Sequence, residues 1–237
     1  MNSYTITIQN NTGVYKDYAL FTAKPEITGQ VQPQIWSNVF CTAGSGPDDT
    51  ARFVIYKQFY AMKGSSSGSI KSGATVKVGK TVNVTLGKTN DDGSVTPGTS
   101  LNYITTNEGT ESEPNLFPNF DPQPLPSGGQ PGCFEIQTTG PFTPEDVSNG
   151  NWVIGVSGSV NDGKGPAAVF APIPNQSYQI KPVNQFWIAT GQYVQGKLVD
   201  YTMVSKTAFK VDFSKPGAKS EITINHTPKG TFVVAVE

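Results

Sequence analysis

Histidine, arginine and leucine are the scarce residues of this 237-residue chain, at one, one and six copies. A single histidine, His226, leaves no histidine pair for a metal centre and one candidate base for a Ser-His-Asp or Cys-His nucleophile. It follows the alternating run Glu221–Asn225 and precedes a Thr-Pro turn, a setting that suits a hydrogen-bonded strand-end residue better than a catalytic one. Arg52 is the one guanidinium among 17 basic residues, and the formal net charge is −1. Guanidinium forks read phosphates and base edges, so nucleic acid is not an expected partner. Neither a GxGxxG nor a P-loop run sits between a strand and a helix pattern, and no cofactor is expected.

Cysteine is scarce as well. Cys41 and Cys133 are too few for a zinc cage without histidines, and no metal site is expected. They read as free thiols in a cytosolic chain, or as a disulfide in a secreted one. No apolar run approaches ~18 residues, so no membrane span is expected. The opening residues alternate like a strand and lack a leader pattern, which favours a cytoplasmic protein, with a mature secreted chain as the alternative.

What is abundant points one way. The chain holds 22 Val, 14 Ile and 25 Thr, with 25 Gly and 18 Pro as punctuation. β-Branched side chains fit a pleated strand and lose rotamer freedom in a helix, so the expected class is all-β, of the β-sandwich type. Period-2 alternation marks strands at Tyr4–Ile8, Ala51–Ile55, Val82–Leu86, Phe134–Thr138 and Phe209–Phe213. Continuous apolar runs at Trp152–Val156, Ala167–Ala171 and Phe232–Val236 suit strands buried on both faces. Val78-Gly79-Lys80-Thr81 reads as a tight hairpin with Gly first, and Asp92-Gly93 and Asp162-Gly163 as further turns. The best helix signal is Thr143-Pro144-Glu145-Asp146, a cap with Pro at the first position, stopped by Gly150.

A faint internal repeat divides the chain. Ala19-Leu20-Phe21 resembles Ala168-Val169-Phe170, and Gln34-Ile35-Trp36 resembles Gln185-Phe186-Trp187. Two similar β-rich halves, 1–90 and 151–237, would then flank a Pro/Gly-rich insertion at 91–150 carrying a strand and a short helical turn. Within it, Glu113 to Gly132 holds six prolines beside Leu116, Phe117, Phe120 and Leu125. Such a stretch is kept out of sheet interiors and reads as a linker, a packed insertion or a lid.

The acids Glu108, Glu111, Glu113 and Asp121 cluster in that middle, while Glu135 and Asp212 lie in strand patterns without an assignable partner. No carboxylate pair for glycoside hydrolysis can be named. Aromatics are the more suggestive set. Trp36 and Trp187 each stand two residues after a glutamine, Gln34 or Gln185, and Tyr15, Tyr18, Tyr56, Phe59 and Tyr60 crowd the first half. Flat rings beside amides stack on sugars and planar ligands, although core packing explains a strand tryptophan equally. The expected site is therefore Trp36, Trp187, Gln34, Gln185 and Tyr56. The expected function is non-enzymatic binding of a carbohydrate or small organic ligand. The alternatives are a cofactor-independent cyclase or isomerase with an apolar pocket, and a structural protein that self-assembles, so a homo-oligomer stays open.

Overall fold

A computed structural model describes residues 2–110 and 115–235; Glu111, Glu113 and Val236, named above, lie outside them. The described residues form strands β1 (Ser3–Asn10), β2 (Lys16–Thr22), β3 (Glu26–Thr28), β4 (Gln32–Ser45), β5 (Thr50–Ser66), β6 (Val76–Val84) and β7 (Lys88–Thr89). The middle of the chain adds β8 (Val95–Thr96), β9 (Ser100–Asn107), β10 (Leu116–Phe120), β11 (Phe134–Thr138) and helix α1 (Pro144–Gly150). The rest comprises β12 (Trp152–Val160), β13 (Gly163–Ala171), β14 (Gln176–Lys181), β15 (Gln185–Thr190), β16 (Leu198–Val199), helix α2 (Tyr201–Thr207), β17 (Phe209–Asp212), β18 (Glu221–His226) and β19 (Phe232–Val234). The protein is all-β. No helix among the described residues is long and apolar enough to cross a membrane.

The main sheet has twelve strands, in the order β17-β15-β2-β4-β13-β12-β5-β1-β18-β19, with β16 on β4 and β6 on β5. Strands from 1–90 and from 151–237 thus alternate in pairs within one sheet. The sheet is mixed, because β1 runs antiparallel to β5 and parallel to β18. It curls until its ends nearly meet, and aromatic rings close the gap. Phe209 of β17 lies 5.7 Å from Phe232 of β19, and Tyr4 of β1 stacks at 4.4 Å on Phe213, just past β17. The interior is one core holding Ile6, Ile8, Leu20, Phe40, Phe53 and Phe170, all nearly solvent-free.

A second sheet, β10-β9-β11-β14-β3, joins this core through Tyr103, Phe134, Ile136, Tyr178 and Ile180. Three of its five strands come from 91–150. β10 lies inside the proline-rich stretch, and its Pro118 is accommodated because β10 is an edge strand, where no neighbour needs the missing donor.

Two of the continuous apolar runs are buried on both faces, as their sequences imply. In β12 every residue but Ser159 is buried, and in β13 every residue from Gly165 to Phe170. Their outer side is covered because Met62, Val76, Val153, Val169 and Leu198 form a second cluster beneath the segment that carries β16. The third run differs: β19 is an edge strand, with Val233 50 % and Val234 45 % exposed. Gly79 differs too. It sits inside β6 as a bulge, since Lys63 pairs with Lys80 and Gly64 with Val78. The long β5 offers partners along the whole of Val76–Val84, so the chain continues as a strand where a turn was expected. The Asp162 turn centres one residue earlier, on Asn161 and Asp162, both at positive φ (46° and 63°), as a type I′ hairpin requires. Helix α1 forms as read, with a capping box between Thr143 and Asp146.

Candidate functional site

Strand β5 is 17 residues long and changes partner midway. Its first half pairs with β1, ending at Tyr56, and its second half pairs with β6, starting at Phe59. On the other side β12 skips the same two residues, because Gly158 pairs with Phe59 and Ser159 with Tyr56. Lys57 and Gln58 therefore bulge out of the β12 ladder, and the strand turns a corner there, with the Lys57 N–H still donating to the Asn2 carbonyl at 2.8 Å.

The corner opens the rim of the barrel. A narrow recess, open to solvent at its mouth, lies between it and the ends of β2 and β15. Phe40, Ile55, Val156 and Ala167 form its floor, all buried in the main core. Tyr56, Gln58 and Phe59 stand on one side, and Pro182, Val183 and Phe186 on the other. Among the described residues no charged side chain lines it. Its polar atoms are largely engaged. Thr22 Oγ1 donates to the Ala167 carbonyl at 3.0 Å, and Gln58 Nε2 to the Phe59 and Val84 carbonyls at 3.0 and 3.3 Å. Tyr56 Oη donates to Asp162 Oδ1 at 2.9 Å, and that hydrogen bond with the carboxylate charge pushes the phenol pKa up. Tyr56 is thereby held as a neutral, oriented ring at the rim.

The five residues expected to share a site fall in three places, Gln34 and Trp36 on β4, Gln185 and Trp187 on β15, and Tyr56 on β5. Tyr56 lines the recess. Trp36 packs outside the barrel against the Val153–Val169 cluster, its buried indole N–H without a hydrogen-bond partner among the described residues. Trp187 packs on another outer cluster, with Ala19, Phe21 and Val39, and the Lys210 ammonium lies 5.8 Å from its ring centre. Gln34 is exposed, and Gln185 donates to Asp212 Oδ2 at 3.1 Å and Ser214 Oγ at 3.3 Å. The tryptophans thus pack in two different clusters of the outer face. Phe59 and Phe186 line the recess without having been among the five expected site residues. The signal for Phe59 was the break in alternation at Tyr56-Lys57-Gln58-Phe59, two polar residues in succession inside a strand pattern.

The other chemistry-bearing residues are structural. His226 is buried, with Nδ1 3.0 Å from Tyr18 Oη and its ring stacked on Phe232 at 4.4 Å. Glu135 is also buried and accepts from Ser100 and Ser177, each at 2.6 Å. Burial raises its pKa, and the hydrogen bonds outweigh that, leaving the carboxyl below its ordinary range. Cys41 and Cys133 are free and buried, with burial pushing both thiols up.

A nearly closed, all-β barrel with an uncharged recess at its rim is the class of protein these features define. A family model described as RhiA matches residues 1–237, and the chain belongs to the RhiA family. No curated protein and no solved structure matches it.

Proposed function

We propose that the protein is a non-enzymatic binding protein that holds a small, uncharged, mainly apolar organic molecule in the rim recess. The observation that carries this reading is the lining: aromatic and aliphatic side chains converge on a concave surface with no charged group among them. An ion entering such a site would lose hydration without a partner, whereas an apolar molecule gains from leaving water.

Titration with the neutral fluorophore N-phenyl-1-naphthylamine tests the proposal. Saturable one-to-one binding is expected. Val183→Trp, which fills the mouth, should abolish it, and Phe59→Ala should weaken it about tenfold. Equal affinity in wild type and both variants, or no saturable binding in the wild type, would sink the proposal.

A further inference from the structure

A second concavity, on the outer wall of the barrel, has a different chemistry. The segment 191–208 covers the outer face of β2, β4 and β15 through Tyr193, Val199 and Val204. Where that cover ends, a shallow groove remains over the β2–β4 pairing, floored by Asp17, Thr42 and Gly44 and walled by Gly191, Gln192 and Tyr193. Wall and floor are tied together, since the Gly191 N–H donates to the Asp17 carbonyl at 3.1 Å. Tyr193 is fixed edge-on against buried Phe21, with ring centres 5.2 Å apart.

Tyr15 borders the floor, at Gly44. It is 61 % exposed, so burial explains little of its position. Its ring end rests directly on Gly44, where a Cβ would overlap the phenol, and the charge of the Asp17 carboxylate pushes the phenol pKa up. Gly44 is absent from the positive-φ positions, so its backbone does not call for glycine. Room for Tyr15 is what the missing side chain provides. An aromatic ring kept exposed and fixed in this way is organised in advance for a ligand.

We propose that this groove binds a neutral saccharide. A sugar has an apolar C–H face and a rim of hydroxyls that both donate and accept. The Tyr15 and Tyr193 rings suit the face, and the Asp17 carboxylate, Gln192 amide and Thr42 hydroxyl suit the rim. Among the described residues Asp17 is the one charged residue lining the groove, which disfavours anionic ligands. This inference is independent of the rim recess.

Calorimetric titration of the full chain with cellotetraose, mannotetraose, galactotetraose and xylotetraose tests it, with tetramethylammonium as the cationic comparison. At least one saccharide binds saturably, and Tyr15→Ala and Gly44→Ser each weaken it about tenfold or more. Gly44→Ser removes no aromatic ring and acts by displacing Tyr15. Asp17→Asn, which takes away the carboxylate that meets the sugar hydroxyls, also weakens binding and keeps the test open should Gly44→Ser fail to fold. Val183→Trp at the recess leaves saccharide binding unchanged. The proposal is overturned by no saturable binding of any of the four, by affinity unchanged in both Tyr15→Ala and Asp17→Asn, or by tetramethylammonium binding more tightly than every saccharide.

Discussion

His226 shows how a scarce residue comes to be structural. Its imidazole lies under Phe232 and meets the Tyr18 phenol, and a neutral ring accepting that proton satisfies both groups. Burial, with the charge of Lys16, lowers its pKa from the ordinary 6.5. Below that value the unfolded chain takes up a proton that the native chain resists, so the neutral ring stabilises the fold above pH 6.5 and this contribution is lost as pH falls through the lowered pKa. The melting temperature should therefore drop between pH 7 and pH 5, with His226→Gln less stable at pH 8 and flatter across that range. An equally steep profile in His226→Gln would exclude His226 as the cause. Glu135 illustrates a limit at the same scale. Its strand position was legible, but Ser100 and Ser177 are 35 and 42 residues away and meet it only through the β9–β11–β14 pairing.

Among the elements, the β12–β13 hairpin positions the rim. Asn161 has a left-handed φ of 46°, which asparagine tolerates, and its side chain bridges to a neighbouring strand. Oδ1 accepts from the Val54 N–H at 2.8 Å, and Nδ2 donates to the Arg52 carbonyl at 3.1 Å. Glycine at this position would suit the turn but lose both bonds, so Asn161→Gly should cost about 1–2 kcal/mol in urea unfolding. A variant as stable as wild type would mean that the turn conformation alone matters. Helix α1 was readable from its cap, Pro and stop, all local signals. Helix α2 was not. Its Thr- and Val-containing sequence lacks a strong pattern, and it is fixed by the Asp200 cap, which accepts from the Thr202 N–H at 2.9 Å, and by Val204 packing on the outer cluster. The corner in β5 falls between these cases. A broken alternation marked it, but its opening depends on the change of partner from β1 to β6.

At the scale of the whole molecule, the barrel seam decides how the two ends of the sheet stay together. β17 and β19 share no ladder, so closure rests on side chains such as Phe209 and Phe232. A double-mutant cycle with Phe209→Ala and Phe232→Ala should return a coupling of about 0.5–1.5 kcal/mol. Strict additivity would show that the rings do not support each other across the seam.

Composition and periodicity by themselves determined the all-β class, most strand positions and the capped helix, because each depends on neighbours a few residues apart. Scarcity of histidine and arginine likewise narrowed the chemistry before any fold was known. Tertiary structure alone decided that strands of 1–90 and 151–237 interleave, that 91–150 supplies most of a second sheet, and that Trp36 and Trp187 pack in separate clusters. Pairing partners are chosen by long-range register, which lies in the complementarity of distant strands and leaves no local trace. The recess beside Tyr56 and the groove beside Tyr15 follow from the same cause, since each joins residues that only the curled sheet brings together.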